Sequence, residues 1–342
     1  MSSASNIIRA SSFPRAGLIG NPSDGFNGKT IAFIIRNFQA EVTLWESPEL
    51  VIEPNQRDHT NFTNITKLVE NIDALGYYGG VRLLQASVRR FHDYCQQNGF
   101  PMHSRNFTIR YQSNIPSHVG LAGSSAIITA CFKALMLFYG IKIPPPILAN
   151  LVLSVETKEL RIPAGLQDRV IQAYEGLVFM DFAQEHFEDE GFGLYEELDV
   201  SSLPHLYIAY RTSLSEGTEI FHNDIRSRFN RREPKIIAAL DEWADIAQQT
   251  RDLLVAGKGN QLGPLLDRNF DLRRETYQLS RGNLAMIEIA RAAGASAKFT
   301  GSGGAIVGSY EGEEMFTRLK DSLELQGCKV FKPQIAPDSS CT

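Results

Sequence analysis

Residues 116–126 read P-S-H-V-G-L-A-G-S-S-A, five glycines and serines in one short stretch. Before it lies T-I-R-Y-Q-S-N-I (108–115), with strand character; after it comes I-I-T-A-C-F-K-A-L-M-L-F-Y (127–139), a helical run. Such a strand-to-helix junction has two readings. It is an ordinary tight turn with a serine helix cap, or it is an anion cradle in which glycine admits close backbone approach and the helix start offers free N–H groups. It is not a P-loop, since no G-x-x-x-x-G-K-[ST] occurs in the chain.

Outward from this loop, Phe38, Ala40, Val42 and Leu44 alternate with polar residues as in a half-buried strand, and residues 81–97 carry helical spacing up to the breaker N-G-F-P. P-P-P (144–146) starts a further helix running through Glu156, and G-L-V-F-M-D-F (176–182) reads as a buried strand. The acidic segment 185–197 reads as an exposed connection, with a hairpin as the alternative. From His205 the pattern restarts: a strand (L-Y-I-A-Y-R), helices near 215–229, 234–256 and 260–280, helix 284–293, strand 296–300, a glycine turn, strand 305–310, helix 311–326 and strand 328–333. Strands and helices mix without a regular β-α-β repeat, which predicts an α+β fold with a domain boundary near residue 200.

The chain's 342 residues suffice for about two domains, and 43% hydrophobic with 21% charged residues is ordinary globular composition. A net charge of −5 argues against nucleic acid or membrane surface as partner. The one basic cluster, R-S-R-F-N-R-R (226–232), reads as a solvated helix end rather than a phosphate tract. Cys95, Cys131, Cys328 and Cys341 are widely spaced, which predicts reduced thiols in a cytoplasmic enzyme; the Ser-rich first dozen residues read as a frayed tail rather than a transit peptide.

Two further glycine clusters stand out: R-A-G-L-I-G-N-P-S-D-G (15–25), with Arg15, Asn21 and Asp24, and K-F-T-G-S-G-G-A-I-V-G (298–308), which lacks the continuation of a dinucleotide fingerprint. Glu156 near a helix end and Asp168 in P-A-G-L-Q-D-R complete the candidates. Each alone is more often a surface or turn residue. Metal-assisted phosphoryl transfer, however, needs one carboxylate to hold Mg²⁺ and often a second to position the acceptor hydroxyl.

At these residues the sequence resembles the GHMP small-molecule kinases. The second motif of that family, P-x-x-x-G-L-x-S-S-A, is similar to 116–126 with one extra residue before the serine pair; the third is similar to G-S-G-G-A (301–305). The first, P-G-[RK]-x-x-L-x-G-E-H, is similar to P-R-A-G-L-I-G-N-P, with Asn-Pro in place of Glu-His. Longer stretches, among them G-Y-Y-G-G-V-R-L-L (76–84) and A-G-L-Q-D-R-V (164–170), resemble the glucuronokinase branch.

The resemblance implies an N-terminal ATP-binding domain (1–200) like the second domain of ribosomal protein S5 and a ferredoxin-like C-terminal domain (201–342). It implies that Pro116, Gly120, Leu121, Ala122, Gly123, Ser124 and Ser125 wrap the phosphates of ATP, buttressed by Gly301, Ser302, Gly303 and Gly304. Ser125 (with Ser124 as the alternative) and Glu156 would hold Mg²⁺, Asp168 would act as base or orient the sugar hydroxyl, and Arg15 would stabilise charge. Asp24 and Asn21 would contact the sugar. The implied reaction is ATP-dependent phosphorylation at the anomeric hydroxyl of glucuronate. A kinase for galacturonate, galactose or a heptose, or a non-catalytic nucleotide- or sugar-binding regulator, are the alternatives. A uronate carboxylate calls for an arginine, with Arg169 and Arg211 as candidates and Arg161 third. Tyr77, Tyr78 and Arg82 are candidates for the adenine pocket, and the enzyme is expected as a monomer or homodimer.

Overall fold

Proline and glycine punctuate this chain where its elements begin and end. Pro145 sits in the first turn of one helix and Pro234 in that of another, where the missing N–H has no intrahelical partner to lose. The computed structural model describes residues 7–55, 58, 63–67, 79–212 and 225–337. Tyr77, Tyr78 and most of the helix expected near 215–229 lie outside them; residues 225–230 are helical.

The chain divides into two packing units, each assembled from separate segments. The first comprises Met1–Ser12, Gln39–Asn114 and Gly123–Ala164. Its sheet has the order β1 (Ile8–Ser12), β4 (Ala40–Glu46), β6 (Phe107–Ser113), β5 (Val51–Ile52). β4 and β6 pair antiparallel from Ala40↔Ser113 to Glu46↔Phe107, and β5 adds parallel to β6. Helix α2 (Gly123–Tyr139) packs on β1 and β4, and α1 (Gly80–Gln97) packs on α2. α1 buries Leu83, Leu84, Ser87, Phe91 and Cys95, the helical stripe that the sequence pattern predicts. Each large apolar side chain so buried contributes roughly 1.5–3 kcal/mol. α3 (Pro145–Ser154) does not run on as a plain α-helix to Glu156; it passes into one π-turn, Val155–Glu159.

The second unit comprises Phe13–Phe38, Ile115–Ala122 and Gly165–Thr342. One antiparallel sheet has the order β2 (Arg15–Ile19), β3 (Lys29–Ile34), β7 (Leu177–Asp181), β8 (Leu194–Glu197). The other has the order β10 (Lys298–Phe299), β11 (Ala305–Ser309), β9 (Leu206–Tyr210), β12 (Lys329–Phe331). Helices α4 (Gln167–Tyr174), α5 (Gln184–Glu190), α6 (Pro234–Val255), α7 (Gly263–Thr276), α8 (Arg281–Ala292) and α9 (Gly312–Glu324) complete it. α6 lies on β3, and Tyr207, Phe270, Phe299, Ile306 and Leu319 share one core. The mixed helix and strand content is α+β, as the pattern predicts.

Segment 185–197 differs from the expected open connection. It folds as α5 followed by β8, which pairs with β7 from Asp181↔Leu194 to Val178↔Glu197. Glu196 is why an acidic edge strand is tolerated here: Arg251 of α6 grips it with two hydrogen bonds of 2.6 and 3.0 Å. Among the described residues no helix is long and apolar enough to cross a membrane, and Cys95, Cys131 and Cys328 are buried free thiols.

Candidate active site

β2 is buried at every position, so Arg15 at its start enters the interior as a cation that must be paired. Its Nε donates to Asp168 Oδ1 at 2.6 Å, and its Nη1 donates to the carbonyls of Gly120 and, at 3.4 Å, Thr300. Asp168 occupies the first turn of α4, where the helix end favours a negative charge. Its second oxygen, Oδ2, lies 3.2 Å from Arg169 Nη1, which also donates to Gly165 O at 2.8 Å. One carboxylate is thus held by two guanidinium groups, and its orientation is fixed from both sides.

Asp24 faces the same group of charges from the short 3₁₀ turn Ser23–Phe26. A Cβ on Gly165 would stand 2.6 Å from its Oδ2, so only glycine lets the carboxylate lie there. Burial pushes the Asp24 carboxyl up to about 6; the charge of Asp168 adds to the rise, and Arg15, the Gly25 N–H and Arg169 oppose it.

The glycine–serine loop has an unusual backbone. His118, Gly120 and Ala122 all have positive φ, 59°, 68° and 60°, while Val119 and Leu121 between them do not. Two non-glycine residues in that region cost about 1 kcal/mol or more each. Left-handed residues alternating with right-handed ones turn successive N–H groups to one side and make an anion-binding concavity, the geometry that this loop's alternating sign of φ suits. The loop is tied down by Arg15 N on Leu121 O at 3.2 Å and by Gln172 Nε2 on Ala122 O at 2.9 Å.

The third glycine cluster lies directly against it. A Cβ on Gly120 would meet Gly303 O at 2.9 Å and Ser302 N at 3.3 Å; one on Gly301 would meet Gly120 O at 2.6 Å. Arg273 of α7 donates to Gly301 O at 2.8 Å and Ser302 O at 3.2 Å. Across a trans peptide the next N–H points opposite to the carbonyl, so the N–H groups of Ser302 and Gly303 are turned away from Arg273. Gly304 N is held by Asn283 Oδ1 at 2.9 Å.

In the first unit, Gly123, Ser124 and Ser125 open α2; Ser125 is buried and Ser124 is partly exposed. Glu156 is only 3% exposed and belongs to the π-turn, a distortion common at functional sites. A buried hydroxyl and a buried carboxylate are oxygen donors of the kind a hard divalent cation takes.

Other expected residues are placed differently. Asn21 is buried, and its Oδ1 accepts from Lys298 Nζ at 2.6 Å. Lys298 also donates to Gly17 O at 2.6 Å and Phe299 O at 2.8 Å. Three acceptors match the three hydrogens of an ammonium. Burial, with Arg273 and Arg15 nearby, pushes the lysine well below its usual value. The Arg211 guanidinium lies by Gly327 and Cys328, its backbone N–H bonding Gly304 O at 2.9 Å. Arg161, in the first unit, and Arg82, in the first turn of α1, are exposed. Sequence reasoning missed Lys298, Arg273 and Asn283. The signal for Lys298 was a charged residue in an otherwise apolar strand beside glycines; Arg273 and Asn283 carry none, because what they hold lies far off in sequence.

The basic run 226–232 is not a uniformly solvated helix end. Arg228 is locked to Glu233 at 2.8 and 2.9 Å, whereas Arg226 lies over the Phe26 ring at 4.2 Å and donates to Gly25 O.

Residues 82–176 match the family model described as the GHMP kinases N terminal domain. The chain is 40% identical to glucuronokinase 1 of Arabidopsis thaliana over 98% of its own length and 94% of the relative's. It is 43% identical to probable glucuronokinase 2 of the same plant, over 97% and 92%. Its fold superposes on Lactococcus lactis galactokinase, solved in complex with galactose, with a TM-score of 0.74 at 15% identity, covering 96% of this chain and 94% of that one. With two relatives this similar over nearly full length, and with all three glycine clusters in the order of the family's motifs, the chain belongs to the GHMP kinase family.

Proposed function

We propose that this ATP-dependent sugar kinase transfers the γ-phosphoryl group of ATP to the anomeric hydroxyl of D-glucuronate, giving glucuronate 1-phosphate and ADP. The observation that carries the reading is Asp168, its two oxygens held by Arg15 and Arg169 while Arg15 also bonds the Gly120 carbonyl of the glycine loop. A carboxylate so oriented accepts a hydrogen bond from the attacking hydroxyl and receives its proton. The bond from the anomeric oxygen to the γ-phosphorus forms as the bond to ADP breaks.

The loop from Pro116 to Ala122, with Gly123 and Ser124 after it, is assigned to the ATP phosphates; its alternating backbone supports this. Gly301, Ser302, Gly303 and Gly304 back it. Ser125 and Glu156 fit Mg²⁺, which when bound neutralises phosphate charge. Asp24 and Asn21 are assigned to the sugar hydroxyls, Asn21 being held in place by Lys298. Arg169 and Arg211 were the expected partners of the uronate carboxylate; the contacts of Arg169 favour a role on Asp168 instead. The functional domains we assign, 1–200 and 201–342, divide the chain by sequence, whereas the packing units divide it by contact. A cytoplasmic enzyme acting on a small sugar, as monomer or homodimer and without nucleic-acid or membrane partner, fits the composition.

The test is Asp168→Asn, assayed by ADP release with glucuronate and by calorimetric titration of MgATP. Turnover should fall by about 10²- to 10⁴-fold while ATP affinity stays near wild type. Turnover close to wild type would remove Asp168 from the reaction.

A further inference from the structure

A uronate differs from a neutral hexose by a carboxylate at C6, carried on the ring carbon that lies across the ring oxygen from the anomeric carbon. Recognition of that group calls for a guanidinium with donors to spare near the sugar-contacting turn. Among the guanidinium groups described above, most are committed. Arg15 is spread over Asp168, Gly120 and Thr300; Arg169 holds Asp168 and Gly165; Arg273 holds the carbonyls of Gly301 and Ser302; Arg228 is taken by Glu233 and Thr276 O. Arg226 is different. It uses one Nη on the carbonyl of Gly25, the residue after Asp24, and among the described residues it has no carboxylate partner. Its guanidinium lies over the Phe26 ring, which also meets the ring of Phe229 at 5.0 Å.

We propose that Arg226 is the acceptor's carboxylate-binding residue, pairing with the uronate through the N–H groups that the Gly25 carbonyl does not use. This rests on the glucuronate reading above. Stacking on Phe26 fixes the orientation of the fork before substrate arrives, so little side-chain freedom is lost on pairing. The neighbourhood is tuned in the same direction. Where the family's first motif has Glu-His, this chain has Asn21 and Pro22, one carboxylate fewer to repel an anionic sugar. Arg226 is also exposed, so its charge is held without a desolvation penalty.

The experiment compares wild type, Arg226→Gln and Arg226→Lys on D-glucuronate and on its neutral amide, D-glucuronamide, at saturating MgATP. Arg226→Gln should raise KM for glucuronate by about 10- to 100-fold, the range for hydrogen bonds to a charged group, and leave KM for the amide nearly unchanged. Arg226→Lys, with charge but no fork, should fall between. Added salt should raise the wild-type KM for glucuronate and have little effect on that of Arg226→Gln. Unchanged KM for glucuronate in Arg226→Gln, or equal losses on acid and amide, overturns the proposal, as does a selective loss found in Arg169→Gln or Arg211→Gln but not here. If wild type turns over glucuronate and Arg226→Gln matches it, Arg226 alone is wrong. If wild type phosphorylates only neutral sugars, the glucuronate reading fails and Arg226 goes with it.

Discussion

We expect Asp24 to set the pH behaviour of the assigned sugar site. Burial pushes its carboxyl from an ordinary 3.8 up to about 6 in the folded protein, so between those values the folded state keeps a proton that the unfolded chain has released. Stability therefore falls as pH rises through that window, and the full cost, at most ~3 kcal/mol, persists above it. Asp24→Asn should raise the thermal midpoint at neutral pH and lose that advantage at pH below the ordinary carboxylate value. Its acceptor kcat/KM should be lower and lack the rise through about pH 6 expected of wild type as Asp24 ionises. A variant destabilised equally at all pH would show that Asp24 is structural. Arg15, Asp24 and Asp168 were legible in the sequence because each sits in a stretch with motif character. Lys298 was not, since its role arises from Gly17 and Asn21, which reach it only through folding.

The glycine turn 301–304 is an element whose shape is set from outside. Arg273 reaches it from α7 and fixes two peptide planes, and Gly120 and Gly301 touch where neither could carry a side chain. Arg273→Gln should raise KM for ATP by about tenfold or more, from loss of charged hydrogen bonds, with KM for the sugar little changed; Arg273→Lys should recover part of it. Equal effects on both substrates, tracking a lower thermal midpoint, would reduce Arg273 to a packing residue. Most elements were readable from period and punctuation: α1 from its apolar stripe, α3 from P-P-P, α6 from Pro234. Segment 185–197 was not, because β8 is half exposed and its Glu196 is balanced by Arg251, about fifty positions away by chain order.

For the molecule as a whole, the α+β class and the family were legible, but the packing units were not. The chain passes from one unit to the other at residues 12/13, 38/39, 114/115, 122/123 and 164/165. Local periodicity carries no record of which distant strands will pair, so a single boundary near residue 200 was all that composition could suggest. The glycine–serine stretch 116–126 spans one such passage, its loop in the second unit and its helix in the first. The most direct measurement is phosphorus NMR of the product formed from ATP and D-glucuronate. The expected result is ADP and one new phosphate signal coupled to the anomeric proton of the sugar. A phosphate on another hydroxyl, or ADP formed only with neutral sugars, would contradict it.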